Sequence, residues 1–507
     1  MTEFQSISQR AALPTGSLAE EAQFAVESTT WRMIETRLRA EAPDEACVFV
    51  LARPSRGVRR VTCLLGDTIW PMSGEVIATP YSLEIRADYI SRAMEAAIDA
   101  GESVGLVLIH THPETTFGSG VGVFSHRDDW YERRLFPTIT LDRPKALSGS
   151  IVLGTECASI DGRLWWNTGV GPMTQAVGVV RIVGPEIKFL ETRYSGWSDH
   201  PDPSMMDRST RLWGAAGRRI LQNLRVGIVG AGGTGSIVLA AVATMGVGKI
   251  DLWDGDVVKK LNLHRMLGTT AAMIGSNKAT ALATWIREIA TAKPFEFVPR
   301  ESWATSPVGL TLLKDCDLIF SCVDKFAPRV PLNDLAYAHL IPTIDMASWL
   351  HPSGGAIDAI MTHAHVWSPG IPCAWCRGTL SSHRLTREAQ GAQRDAERHI
   401  PYGIPLDQTD EVEPSVLALN LAGAGLALLE FMQVALRITN RTPWDLKLFL
   451  PEWELDESDL RRMPDCATEV ATACGDTFVI TPIIPFASSP EGQSVGGSGS
   501  PSVSHAD

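Results

Sequence analysis

Leu224-Arg225-Val226-Gly227-Ile228-Val229-Gly230-Ala231-Gly232-Gly233-Thr234-Gly235-Ser236 sets the fold of the second half of this chain. The apolar run up to Val229 reads as a buried parallel strand, and the Ala-rich stretch after Ser236 reads as a helix. Between them the glycines let the backbone turn tightly and approach a phosphate, whose charge the amides at the helix N-terminus would meet. Gly230, Gly232, Gly233 and Gly235 are thus candidate nucleotide-binding positions. Taken alone, G-x-G-x-x-G suits a nicotinamide or flavin enzyme equally well.

The residues downstream narrow the choice. Lys249-Ile250-Asp251-Leu252-Trp253-Asp254-Gly255-Asp256 ends a second strand with Asp254 and Asp256 about twenty positions after the loop, where a ribose hydroxyl is held in such folds. Asn262-Leu263-His264-Arg265 and then Lys278 add basic groups that a dinucleotide fold does not need. Arg and Lys converging on a triphosphate suit nucleotidyl transfer, in which charge builds on the leaving pyrophosphate. From about Arg208 to Asp476 the chain resembles the ThiF/MoeB superfamily, which includes ubiquitin-activating enzymes. That resemblance implies a Rossmann-like adenylation domain that uses ATP and Mg2+ on the C-terminal glycine of a ubiquitin-like protein. It assigns ribose to Asp254, phosphates to Asn262, Arg265 and Lys278, and magnesium to Asp324, which follows the apolar run 318–323. Arg208 matches the family's arginine finger, inserted by a neighbouring subunit, so a homodimer is expected.

The first half carries a different chemistry. His110-Thr111-His112-Pro113 follows the apolar run 104–109, and two histidines two residues apart on a strand share one face. Asp128, in Ser125-His126-Arg127-Asp128, can complete three metal ligands from the following helix and leave a fourth position for water. A metal-free fold with two ordinary strand histidines is the alternative. The pattern H-x-H-P…S-x-x-D resembles the JAB/MPN (JAMM) zinc isopeptidases, with the Gly-rich stretch 118–122 as an insertion. The resemblance implies His110, His112 and Asp128 as Zn2+ ligands, Glu45 as general base and Ser125 as the donor that stabilises the oxyanion.

Nine cysteines in 507 residues are too few and scattered for a disulfide framework, and no basic cluster with an apolar segment opens the chain, so a reducing cytoplasm is expected. Cys373-Ala374-Trp375-Cys376 has zinc-ligand spacing. The ThiF/MoeB resemblance pairs it with Cys466 and Cys474 in a structural Zn2+ site; a redox pair is the alternative. The polar stretch from about 381 to 413, where such enzymes carry a crossover loop with an acceptor cysteine, holds none. Direct transfer of the adenylate to a thiol or sulfur donor on another protein is therefore expected; a chain path that delivers Cys373 or Cys474 is the alternative. With 45 basic and 58 acidic residues the net charge is −13, which argues against nucleic-acid binding. The apolar stretch from Val416 to Ile438 contains Asn420, Gly423, Gly425 and Glu430, and reads as a buried helix rather than a membrane span.

These readings predict an α/β chain divided into a leader (1–28), a JAB/MPN-like isopeptidase domain (29–195), a linker (196–207), a ThiF/MoeB-like adenylation domain (208–480) and a disordered tail (481–507). The expected activity is bifunctional: adenylation and processing or deconjugation within one class of ubiquitin-like protein. A conjugating enzyme or a sulfur-donor protein would be the further partner. Bacterial conjugation systems, including antiviral ones, resemble this pairing. Sulfur-carrier activation for cofactor or metabolite synthesis is the nearest alternative. A non-catalytic scaffold and an NAD-dependent oxidoreductase are rivals of another class.

Overall fold

The computed structural model describes residues 19–113, 122–154, 159–353, 356–389, 416–440, 445–450, 454–457 and 462–483. The glycine-rich insertion at 118–121, most of the expected crossover loop (390–413) and the tail from 484 onwards lie outside them.

The first half is built on a nine-stranded sheet in the order β11-β10-β1-β3-β2-β6-β7-β8-β9. Its strands are β1 (Glu21–Glu27), β2 (Cys47–Arg56), β3 (Arg60–Ile69), β6 (Gly105–Thr111), β7 (Ser148–Leu153), β8 (Ile160–Asn167), β9 (Pro172–Ala176), β10 (Val179–Val183) and β11 (Ile187–Glu191); β4 (Val76–Thr79) and β5 (Ser82–Ile85) form a separate hairpin. β1 lies inside the expected leader, which is thereby corrected: from Glu21 on, the chain pairs in parallel with both β3 and β10.

Helices cover both faces, so alternate residues of one strand enter different cores. Val48, Val50 and Ala52 of β2 pack with Trp31, Ile34 and Leu38 of α1 (Ser28–Ala40). Cys47, Phe49 and Leu51 meet Tyr89, Ala93 and Ala97 of α2 (Ala87–Ala100), and Phe136 and Ile139 of α3 (His126–Asp142). A strand buried on both faces needs an apolar residue at nearly every position, which is what β2 and β6 supply.

The second half is an eight-stranded sheet in the order β14-β13-β12-β15-β16-β17-β18-β19. β12 (Arg225–Val229), β13 (Lys249–Trp253), β14 (Glu296–Arg300), β15 (Leu318–Ser321) and β16 (Thr343–Ser353) run parallel; β17 (Ala356–Trp367), β18 (Asp445–Leu450) and β19 (Glu454–Glu457) continue antiparallel. Around it stand α4 (Asp207–Asn223), α5 (Gly233–Thr244), α6 (Arg329–Ala338) and α7 (Leu417–Leu436). α7 is long and apolar enough to cross a membrane by length and composition. Its Asn420, Gly423, Ala427, Glu430 and Phe431 are nonetheless buried, and the helix packs on α5, β16 and β17.

The expected linker is not free chain. His200 is buried and its Nε2 lies 2.7 Å from the Thr291 carbonyl. The halves meet along a sealed polar seam. Arg60 donates to Asp317 at 2.7 Å and to Glu21 at 2.8 Å; Glu21 also receives Lys249 at 2.9 Å. Asp315 accepts from the amides of Val58, Arg59 and Arg60, and Asp476 accepts from the amide of Arg56. Ala25, Leu64 and Ile187 of the first half share a core with Leu224, Val226 and Phe431 of the second.

Candidate functional site

β6 and α3 bring the first set of residues together. Along β6 every residue is buried, and His110 and His112 project from one face with ring centroids 5.1 Å apart. Ser125 caps α3: its hydroxyl accepts from the Asp128 amide at 3.2 Å while Asp128 accepts from the Ser125 amide at 2.6 Å. This reciprocal capping box fixes the Asp128 carboxylate in the first turn. Asp128 then reaches His110 Nε2 and His112 Nε2, each at 3.3 Å, and one donor atom from each of the three residues lies within 4.8 Å of the others.

Glu45 enters from the neighbouring strand. Cys47 stands opposite His110 in the β2–β6 ladder, the Thr111 amide donates to Ala46 O, and the Ala46 amide donates to Thr111 Oγ1. One step further along this register puts Glu45 opposite His112. Burial pushes the Glu45 carboxyl up from its ordinary range, which suits a group that must take and release a proton near neutrality. Burial works against ionised Asp128 as well, but the two imidazoles hold it well below the usual carboxylate range. Among the described residues Nδ1 of buried His110 has no hydrogen-bond partner, and its Nε2 faces Asp128. Two imidazoles and one carboxylate, with a buried imidazole otherwise unsatisfied, fit a zinc ion.

A cavity of about 640 Å³ opens over this group, lined also by Tyr81 and Leu83 from the β4–β5 hairpin and by Trp130. The sequence reading missed this hairpin wall and missed Glu132, one turn beyond Asp128. Glu132 is buried, receives Ser150 Oγ at 2.5 Å and Trp165 Nε1 at 3.3 Å, and lies against the cavity. Its spacing from Asp128 was the only local sign. Asp129, the next residue along the helix, is bound by Arg163 at 2.5 Å and stands outside the ligand group.

In the second half Gly230 takes φ +100°, and a Cβ at Gly235 would collide with the Gly230 carbonyl, so this turn requires both glycines. Buried Asp254 closes the loop: one oxygen accepts from the Ala231 amide and the other from the Asp256 amide, each at 2.8 Å. Lys278 pairs with Asp256 at 2.8 Å and lies 3.8 Å from Asp254. Asn262 is buried, and its Oδ1 accepts from the Lys259 amide. Arg265 is half-buried; the Arg265 carbonyl faces Gly233. Asp324, on the loop after β15, and Arg208, near the start of α4, are exposed. Gly232 has open space where a side chain would stand.

Cys373, Cys376 and Cys466 converge, with the Cys373 and Cys466 sulfurs 3.5 Å apart. Cys474 corrects the expected four-thiolate site: it stands outside this group, and its thiol lies 3.9 Å from the Val470 carbonyl. The short helix Ala467–Val470 carries the chain past the thiolates before Cys474 is reached. Burial raises the Cys373 thiol to about 12.

Residues 206–441 match the model of the ThiF family and form a ThiF-family domain. Over 123 residues the chain is 34% identical to the adenylyltransferase and sulfurtransferase uba4 of Aspergillus clavatus, covering 24% of this chain and 25% of that protein. Over 121 residues it is 33% identical to the adenylyltransferase and sulfurtransferase MOCS3 of Anopheles gambiae, covering 24% and 27%. The chain thus spans about a quarter of the length of these curated relatives. A crystal structure of MccB from E. coli superposes with a TM-score of 0.41 at 17% identity, covering 56% of this chain and 75% of that one.

Proposed function

We propose that the ThiF-family half adenylates the C-terminal carboxylate of a ubiquitin-like or sulfur-carrier protein with ATP. The observation that carries this reading is the Gly230–Gly235 turn at the N-terminus of α5, tied to Asp254, which lies 3.8 Å from Lys278. In the proposed reaction a carboxylate oxygen attacks the α-phosphorus, its bond to the bridging oxygen breaks, and pyrophosphate leaves. Loop amides hold the phosphates, Asp254 the ribose, and Arg265 and Lys278 draw the charge that accumulates on the leaving group. Magnesium, held by Asp324, would neutralise part of that charge. Arg208 acts across a dimer interface in this scheme. The relatives' names join adenylyl transfer to sulfur transfer, which favours passage of the adenylate to a sulfur donor over conjugation. ATP with magnesium should raise the thermal midpoint and NAD should not; the reverse result would favour an oxidoreductase.

The first half supports a second activity of JAB/MPN type, hydrolysis after the terminal glycine of the same protein class. Zinc, when bound by His110, His112 and Asp128, would acidify a water molecule and polarise the scissile carbonyl. Glu45 takes the proton from water and passes it to the leaving amine, while Ser125 donates to the developing oxyanion. The cavity wall of Tyr81, Leu83 and Trp130 provides an apolar bed for an extended C-terminal tail. Cleavage would expose the glycine that the other half activates.

A further inference from the structure

A third group of metal-ligating side chains lies inside the ThiF-family half, away from the glycine loop and from the thiolates. Asp345 on β16, His365 on β17 and Asp445 on β18 stand directly opposite one another across three neighbouring strands. His363 is two residues before His365 on the same face of β17, and the two rings stack with centroids 3.9 Å apart and planes 11° apart. Asp345 and Asp445 are 0% exposed, His365 4% and His363 8%, so water does not satisfy them.

Each carboxylate is held by one oxygen. Asp345 Oδ1 accepts from Ser321 Oγ at 2.7 Å and from Arg329 Nε at 2.9 Å, while its Oδ2 turns towards His363 Nε2, 3.7 Å away. Asp445 Oδ2 meets Lys447 at 2.9 Å and Arg377 at 3.4 Å, while its Oδ1 sits against His365 Nε2. Among the described residues Asp345 Oδ2 and both nitrogens of His363 have no hydrogen-bond partner, while His365 places Nε2 against Asp445 and Nδ1 3.3 Å from Thr379 Oγ1. An ion-pair network by itself would leave these buried atoms unsatisfied, which is unfavourable for each of them. One donor atom from each of Asp345, His363 and His365 lies within 4.8 Å of the others.

We propose that Asp345, His363 and His365 form a binding site for a divalent transition-metal cation, zinc by preference, with Asp445 orienting His365. Two imidazoles and a carboxylate are a zinc-type donor set, and a carboxylate whose second oxygen is pinned by Arg and Ser is the usual outer support of such a ligand. Buried Glu430, whose charge Arg377 senses, offsets one of the surrounding cations. The cation would staple β16 to β17 beneath Ser321 and Arg329, which flank the loop carrying Asp324. Its role is therefore structural.

The test is anomalous X-ray scattering at the zinc edge from crystals of the full chain equilibrated with zinc chloride. A peak bridging Asp345, His363 and His365 is expected, and no peak there would overturn the proposal. In solution, the His112→Ala/Cys373→Ser double variant should retain about one zinc per chain. Adding His365→Gln should remove it; retention in the folded triple variant would overturn the assignment. If the triple variant does not fold, the anomalous map of the wild-type chain decides.

Discussion

Arg60 of the first half donates to Asp317 of the second at 2.7 Å across 257 residues of sequence, with both side chains almost sealed from water. Removing one partner leaves an uncompensated buried charge. Arg60→Ala should therefore cost about 3–5 kcal/mol, whereas Arg60→Lys, which keeps a cation beside Asp317, should cost much less. Denaturant unfolding of each variant measures this. Equal losses in the two variants would show that packing, not charge, dominates the seam.

Glu45→Gln should keep zinc in the first half and lose cleavage by at least a hundredfold, while His112→Ala should lose both. Zinc quantification and cleavage of a glycine-terminated precursor, run on one preparation, separate the two roles. Normal cleavage by Glu45→Gln would assign the base elsewhere.

Cys466→Ala should lower the zinc content of the chain by about one equivalent, and Cys474→Ala should not, because the Cys474 thiol lies outside the thiolate group. Equal losses from both variants would contradict the geometry.

Gly235→Ala should abolish stabilisation by ATP. The added methyl collides with the Gly230 carbonyl and must displace the turn, at about 1–3 kcal/mol of overpacking. Thermal denaturation with and without ATP and magnesium reads both effects. Gly232→Ala, with open space around its Cβ position, should be milder in stability.

Legibility in the sequence followed the range of the interaction. The glycine loop, Asp254 and the His110-x-His112 pair could be read because strand period and turn chemistry act over a few residues. β1 escaped because Glu21–Glu27 is short and carries Gln23 in a buried position; only its parallel pairing with β3 and β10 makes it a strand. The seam from Arg60 to Asp317 and the row of Asp345, His365 and Asp445 depend on register between distant strands, which local pattern does not encode. Cys474 was misplaced for the same reason: the family resemblance paired it with Cys466, and the turn after Val470 directs it elsewhere.

Adenylation by the ThiF-family half is reversible, so isotope exchange between labelled pyrophosphate and ATP reports on it. Exchange should require a ubiquitin-like or sulfur-carrier protein ending in a free glycine, and should fall about a hundredfold or more in Lys278→Ala and in Asp324→Ala while both remain folded. Exchange that ignores the carrier protein, or wild-type exchange in both variants, would contradict the account.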